Sequence, residues 1–292
     1  MSEKIKDKIN YLYVLGAGVS WGIISLFLKP LLNSGFTQIQ TVAVRCLIAA
    51  AVLGIIMLVS DRKAFKIAIK DLWCFFGTGI VSMMFFSISY FYSMTYNGIC
   101  IAVILLYTSP VFVMLFSRIL FKEKITVLKI TAIILTVIGC AFASGAGSAQ
   151  SLTPFGFVLG ICSGLGYALY SIFSRYALNR GYKSITISFY TFLICGVACL
   201  PFANVIELPE LFNNGKSIFC ALGIGIICCV LPYMLYTKGL EKVENSKASV
   251  IVAVEPVVAS VIGIAVYHEN LTALKIIGIV FVLSAVVICS KD

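Results

Sequence analysis

The sequence predicts an all-α membrane protein with ten transmembrane helices, arranged as two inverted repeats of five helices each. Composition, the length of the apolar runs and an internal repeat predict this fold class. Of the 292 residues, 61% are hydrophobic and 12% are charged, whereas about 25% are charged in a soluble domain. The apolar runs are about 20 residues long, as a helix needs to cross ~30 Å of hydrocarbon. They lack the two-residue alternation of a membrane β-barrel.

Short polar or basic clusters divide the apolar runs into ten predicted spans. The first run is longer than a signal-peptide core and has no small-x-small cleavage site before Lys29-Pro30, so we expect a retained first span. The later runs follow polar clusters such as residues 61–71, 122–124, 180–183, 241–247 and 268–270. The predicted spans lie at 9–28, 36–59, 72–93, 98–117, 125–144, 155–174, 184–203, 217–237, 247–266 and 271–290.

The second half of the chain repeats the first at an offset of 146 residues. Pro110-Val111 recurs as Pro256-Val257, and Glu123 recurs as Glu269. Thr126-x-Leu128-Lys129-Ile130 recurs as Thr272-x-Leu274-Lys275-Ile276. We therefore predict two homologous units, at residues 9–144 and 153–290.

Lysine and arginine residues set the predicted orientation. With a cytoplasmic N-terminus, eighteen of them fall in cytoplasmic segments, Arg45 falls within a span, and only Lys29, Lys216 and Lys275 fall outside. This predicts a multi-pass protein of the plasma (inner) membrane with both termini in the cytoplasm. Because each unit has an odd number of spans, the second unit must be inverted. Inverted repeats are typical of secondary transporters that bind substrate where the two halves meet.

Several function classes are disfavoured by the same residues. The net charge of +10 is spread over short loops, so we expect no nucleic-acid partner. The eleven cysteines lie in apolar runs without a CxxC pair, which indicates reduced packing residues. His268 is the only histidine and no HExxH motif occurs, so we expect no metal site and no cofactor. No Ser/Lys or His/Asp constellation suggests an enzyme.

Two segments resemble the hallmark of the EamA family in the drug/metabolite transporter superfamily. They are Ala102-Val-Ile-Leu-Leu-Tyr107-Thr108-Ser109-Pro110 with Glu123, and Ala248-Ser-Val-Ile-Val-Ala-Val-Glu255-Pro256 with Glu269. The resemblance covers about residues 9–290, and it departs where Lys122-Glu123 and His268-Glu269 replace the more usual Gly-Glu. It implies a ten-span secondary transporter that moves small organic molecules, often in export, through a central cavity between the repeats.

Arg45 and Glu255 are the charged residues predicted to lie deepest in the membrane. Arg45 stands about nine residues, or ~13 Å, into the second span, where a charge costs at least ~2.5–3.5 kcal/mol on insertion scales. It either clamps a substrate carboxylate or phosphate, or anchors to helix carbonyls or an acid. Glu255 either binds an amine, carries a coupling proton, or pairs with Arg45. Their repeat partners, Thr191 and Ser109, are uncharged, so we expect these positions to determine specificity.

Prolines and aromatic residues complete the predicted site. Pro110 and Pro256 each remove a helical hydrogen bond, which predicts symmetry-related kinks or hinges that line the cavity. Among aromatic residues at similar depth we expect Trp21, Tyr90, Tyr107 and Tyr167 to line an apolar pocket. Glu123 and Glu269 precede the fifth and tenth spans, where a carboxylate favours a helix N-terminus. Glycines spaced by four at 156–164 and 18–22 predict close helix contacts.

These features favour a secondary active transporter that works by alternating access. The expected substrate is a small metabolite resembling an amino-acid zwitterion, with Arg45, Glu255 and Ser109 near its charged groups and a proton as the candidate coupling ion. Export is the expected direction, and a monomer in the lipid bilayer is the expected state. A facilitative channel and a non-transporting membrane scaffold are the alternatives.

Overall fold

The computed structural model describes residues 3–144 and 152–291, and it describes side chains within 9–144 and 152–290. The side chains of Lys4, Lys6, Lys8 and Lys291, which contribute to the predicted orientation, lie outside this part. The described residues are helical throughout apart from short connections, with no strand among them. The α-helices are α1 (Glu3–Gly22), α2 (Ser25–Asn33), α3 (Gln38–Ser60), α4 (Leu72–Phe76), α5 (Phe85–Leu106), α6 (Ser109–Phe121), α7 (Val127–Ala143), α8 (Pro154–Asn179), α9 (Ser184–Cys199), α10 (Leu208–Leu211), α11 (Gly215–Gly225), α12 (Leu231–Leu240), α13 (Asn245–Ile251), α14 (Glu255–Tyr267) and α15 (Ala273–Lys291).

Eight helical segments in the described part are long and apolar enough to cross a membrane by length and composition. They are Ile9–Asn33, Gln38–Ser60, Ile69–Leu106, Pro154–Asn179, Ser184–Phe202, Gly215–Leu240, Asn245–Tyr267 and Ala273–Ser290. Two shorter apolar helices, α6 and α7, lie between them. The first segment extends past the predicted boundary at residue 28. The 38-residue segment joins the predicted third span to the start of the fourth.

The predicted fourth span, 98–117, is not one helix. Gly98 has φ 80° and ψ 167°, and a turn at Tyr107 and Thr108 separates α5 from α6. Only glycine adopts such a φ without steric cost, so Gly98 allows the backbone to change direction inside an apolar run. The predicted ninth span is interrupted in a similar way, because a 3₁₀ segment, Val252–Val254, separates α13 from α14.

Both family-like prolines lie at the start of a half-helix. Pro110 is in the first turn of α6 and Pro256 is in the first turn of α14. The first N–H groups of a helix have no partner within the helix, so proline costs little there and its fixed φ suits the helix start. The helices therefore break just before the prolines rather than bending around them.

Two π-helical segments occupy equivalent places in the two halves. They are Gly77–Met84, between α4 and α5, and Ile226–Val230, between α11 and α12. The repeat offset of 146 residues aligns the second segment with the end of the first. Such widened turns are rare and frequently accompany functional sites.

The two halves pack against each other through reciprocal pairs of helices. The main contacts are α5 with α8, α1 with α12, α3 with α9, and α7 with α15. Glycines allow these contacts to be close. A Cβ at Gly160 would stand 2.7 Å from Leu105 Cβ, and a Cβ at Gly18 would stand 2.7 Å from the Val252 carbonyl oxygen. The glycine stripes predicted from the sequence are thus contact surfaces between helices.

A substitution at the α7–α15 contact tests this packing. A Cβ at Gly278 would stand 2.6 Å from the carbonyl oxygen of Gly139, which is rigid backbone. We expect Gly278→Ala to lower the free energy of unfolding by roughly 1–3 kcal/mol, as overpacking does. Thermal unfolding of the purified protein in detergent measures the change.

Gly215→Ala is the matched control, because no atom of the described residues lies within 4 Å of a Cβ at Gly215. An equal loss of stability in the two variants would show that the α7–α15 contact is not responsible.

Candidate functional site

The main cavity has a volume of about 380 Å³ and lies between the two halves of the chain. Helices α1, α2 and α5 line it from the first half, and α14 lines it from the second. Its volume is at the lower end of the ~300–1,000 Å³ typical of small-molecule sites. It therefore has room for one small organic molecule.

Four of the residues predicted to bind substrate line this cavity together. They are Trp21 on α1, Tyr90 on α5, Tyr107 in the turn after α5, and Glu255 at the start of α14. Trp21 and Tyr107 are 8% and 5% exposed, so their rings form a closed inner end. Pro256 also lines the cavity, whereas Pro110 does not. The helix breaks explain this grouping, because they place Tyr107 and Glu255 at the ends of half-helices that face the same space.

Glu255 has hydroxyl groups and no basic group around its carboxyl. The hydroxyls of Tyr107 and Tyr167 lie near the carboxyl, and Tyr90 also lies within electrostatic range. The Tyr167 hydroxyl is nevertheless buried without a hydrogen bond of normal geometry. Glu255 makes no ion pair with any residue that the structure describes, so the alternative in which it pairs with Arg45 is not formed in this conformation.

Arg45 lies in a different environment from Glu255. Its guanidinium interacts with the thiols of Cys46, Cys195 and Cys229 and with Tyr233, and its Nε atom is buried without a hydrogen bond. It is absent from the described lining of the main cavity. The expected joint clamp on a zwitterion is thus not formed in this conformation, because α3 turns Arg45 toward α9 and the π-helical segment after α11.

The remaining predicted residues lie behind the cavity wall. Tyr167 lines a much smaller pocket of about 10 Å³, which shares Trp21 with the main cavity. Ser109 is 3% exposed at the start of α6 and does not line either pocket. None of the eleven cysteines, all of which the structure describes, forms a disulfide; nine are buried, and Cys100 lines the main cavity.

A charged rim, not predicted from the sequence, lies at the other end of α14. Lys275 Nζ lies 3.0 Å from Glu269 Oε2, and Lys29 Nζ lies 3.8 Å from Glu269 Oε1. Lys29 also stands 3.5 Å from the centre of the Tyr267 ring. The side chains of Lys29 and Glu269 are 48% and 45% exposed, so the cavity opens here. The twelve residue steps of α14 put this rim about 18 Å from Glu255.

The opposite face of the bundle is closed by polar contacts between the two halves. Glu123 accepts hydrogen bonds from the backbone N–H groups of Asn245 (2.8 Å) and Ser246 (3.2 Å). Glu123 therefore caps α13 in the other half, and not the neighbouring α7 as expected. Within the second half, Arg175 Nε donates to Asn245 Oδ1 at 2.8 Å, and its guanidinium also donates to the Val243 carbonyl, which holds the start of α13 in place.

A partly buried ion pair between Lys129 and Glu244, whose side chain is 44% exposed, strengthens this closed face. Lys129 Nζ lies 2.6 Å from Glu244 Oε2, and the Lys129 side chain is 3% exposed. Lys129 also donates to the carbonyl of Lys124 at 2.8 Å. Lys129 and Lys275 are equivalent in the repeat, yet one is sealed in the closed face and the other lies at the open rim.

The comparisons with known proteins agree with this architecture. The profile of the EamA-like transporter family matches residues 8–145 and again residues 154–291. A protein of Archaeoglobus fulgidus named an uncharacterized transporter is 28% identical over 209 residues, which cover 70% of this chain and 72% of that protein. An uncharacterized transporter of Clostridium kluyveri is 24% identical over 94% of this chain and 91% of its own. One crystal structure shares the fold with a TM-score of 0.81 at 15% identity, covering 97% of this chain and 96% of its own.

The open rim can be tested with the native cysteines. Cys100 lines the cavity, whereas Cys140 and Cys195 are 0% exposed. We expect a water-soluble maleimide to label Cys100 at least about tenfold faster than either buried thiol, because only the hydrated thiol meets the reagent. Mass spectrometry of peptides after timed labelling measures the three rates. Equal rates at Cys100 and Cys140 would contradict an open cavity.

Proposed function

The chain belongs to the EamA-like transporter family, and we propose that it is a secondary carrier that moves a small organic metabolite across the membrane by alternating access. One observation supports this above all: a cavity between the two halves is open at one face and closed by inter-half contacts at the other. A carrier must reach such one-sided states. The family and its relatives make the chain a multi-pass membrane transporter, and the mechanism and direction are our proposal.

We propose ten spans for this transporter. The break at Gly98 divides the 38-residue segment, so residues 99–106 followed by α6 form one broken crossing and α7 forms the next. With both termini in the cytoplasm of a plasma-membrane protein, the rim of Lys29, Glu269 and Lys275 faces outward. The conformation is then outward-open, and net export is the direction we propose from the family resemblance.

The repeat suggests how the cavity closes at its outer face. Glu123 caps α13, whose first residues Asn245 and Ser246 correspond in the repeat to Ile99 and Cys100. Glu269 corresponds to Glu123 and pairs with lysines at the rim. We propose that the two glutamates exchange these roles in the inward-open state. Glu269 then caps the half-helix that begins at Ile99, and Glu123 releases α13. Each glutamate would then hold one gate closed.

Transport is expected to depend on Glu255. We expect Glu255→Gln to reduce counterflow in liposomes at least about hundredfold, since it removes the one charged group among the described residues that line the inner end of the cavity. The solute is one that stabilises the wild-type protein in a thermal-shift screen of metabolites. Glu210→Gln, the same change at an exposed position on α10, serves as control and should leave counterflow unchanged.

Wild-type flux without trans-stimulation would indicate a channel instead of a carrier. Full counterflow in Glu255→Gln would show that the substrate does not bind at Glu255.

The inner gate gives a separate prediction. Replacing Glu123 by Gln removes the charge that accepts three hydrogen bonds from Asn245 and Ser246. A cost of about 1.5 kcal/mol would raise the population of the released state roughly tenfold. Ser249 is 6% exposed within α13, so labelling of a Ser249→Cys reporter measures this release.

We expect the reporter to react roughly tenfold faster in the Glu123→Gln background than in the parent. Glu269→Gln is the matched control at the opposite face and should not accelerate the reaction. Acceleration in both backgrounds would indicate general loosening rather than a gate.

A further inference from the structure

The charged groups of the cavity are arranged in two separate layers. Of the described lining residues, four are charged: Lys29, Glu269 and Lys275 form the rim, and Glu255 stands alone at the inner end. The rim lysines are engaged by Glu269, and two of these three side chains are about half exposed, so water and salt screen their charges. A molecule that reaches the inner end therefore meets one negative charge and no positive one.

Arg45 does not provide a positive charge that a ligand at the inner end of the cavity could contact. Tyr233 lies within electrostatic range of Arg45 and packs edge-to-face on Trp21 at a centroid distance of 5.0 Å. Trp21 in turn lines the cavity. Two aromatic side chains thus connect the surroundings of Arg45 to the cavity wall, and Arg45 is not among the described residues that line the cavity. A ligand carboxylate at the inner end would have no basic partner there.

The walls around Glu255 are suited to a cation. Trp21, Tyr90, Phe91 and Tyr107 line the cavity. Tyr167, which does not line the cavity, packs against Trp21 with 6.3 Å between the ring centroids. Aromatic faces attract cations by their quadrupole, most strongly where water is excluded. A carboxylate held in such a site is costly without a counter-charge, and a ligand cation supplies that counter-charge when it binds. A zwitterion would bring its own carboxylate into the same apolar space without compensation.

We propose that the cavity selects small organic monocations, with an ammonium group against Glu255 and an apolar or aromatic body between Trp21, Tyr90 and Tyr107. This proposal rests on the carrier function and names its substrate class, in place of the amino-acid zwitterion expected from the sequence. One carboxylate neutralises one positive charge, so dications are excluded. The cavity volume of about 380 Å³ limits the body to roughly the size of a single substituted ring.

Three compounds with the same ring and a similar chain test the charge class directly. Phenethylamine is a cation at neutral pH, phenylalanine is a zwitterion and 3-phenylpropionate is an anion. Thermal unfolding of the full-length wild-type protein in detergent, titrated with each compound, measures binding by the rise in melting temperature. We expect phenethylamine to reach half of its maximal shift at a concentration at least tenfold below that of phenylalanine. We expect no shift with 3-phenylpropionate.

Variants test whether the rise in melting temperature with phenethylamine depends on Glu255. Glu255→Gln should abolish the phenethylamine shift, and Glu255→Asp, which keeps the charge, should retain the preference for the amine over phenylalanine. Arg45→Gln and the exposed control Glu210→Gln should leave the shift in place. If Glu255→Gln is too unstable to measure, the wild-type series and Glu255→Asp still decide the charge class.

Three results would overturn the proposal: phenylalanine or 3-phenylpropionate binding as tightly as the amine, no shift with millimolar phenethylamine, or an amine shift that survives in Glu255→Gln. The carrier function is judged separately. Saturable counterflow of a zwitterionic or anionic solute would uphold the carrier while it removes the cation class, and the absence of counterflow for every stabilising solute would remove the carrier itself.

Discussion

A helix can break within the hydrocarbon only where protein or water satisfies the backbone groups that the break releases. In this transporter the breaks at Gly98, at Tyr107–Thr108 and at Val252–Val254 all occur in segments that line the cavity or directly precede its residues. The cavity and the broken helices therefore require each other. Glycine supplies the positive φ of one break, and the prolines begin the half-helices at no cost in hydrogen bonds. Tyr107 and Glu255 face the same space because their helices break.

Two kinds of asymmetry are superimposed on the repeat. Glu123 and Glu269 are the same residue type at equivalent positions, yet one caps a helix of the other half and one pairs with rim lysines. Such a difference belongs to the conformation and can be exchanged between the halves. Glu255 and Ser109 differ in the sequence itself, so their asymmetry persists in every conformation. The first kind suits gating, and the second suits ligand recognition.

Much of the fold could be predicted from the sequence, because span length and apolar composition are local properties. The depth of a residue in the membrane is also a local property, and Trp21, Tyr90, Tyr107 and Glu255, which were chosen by depth, line one cavity. The direction in which a helix turns a residue at that depth is set by packing. Arg45 was therefore placed at a suitable depth and expected in the site, although α3 turns it toward α9.

Contacts between the halves could not be predicted from the sequence either. The capping of α13 by Glu123 joins residues 122 positions apart, and a local motif predicts only a nearby helix end. The π-helical segments are hidden for a related reason, since a single widened turn barely changes the apolar pattern. Glycines at the start of the first segment, Gly77 and Gly79, and just before the second, Gly223 and Gly225, are the one signal that was available.

The separation of Arg45 from Glu255 has a physical consequence for transport. If the two charges paired directly, each would satisfy the other, and a ligand would have to displace a buried guanidinium before it could use the carboxylate. In the described structure the two groups form no ion pair, and of the two only Glu255 lines the cavity. Arginine tolerates this position better than lysine, because its charge is delocalised and weakly hydrated and polarisable thiols surround it. The carboxylate thus remains available to whatever positive charge enters from the open face.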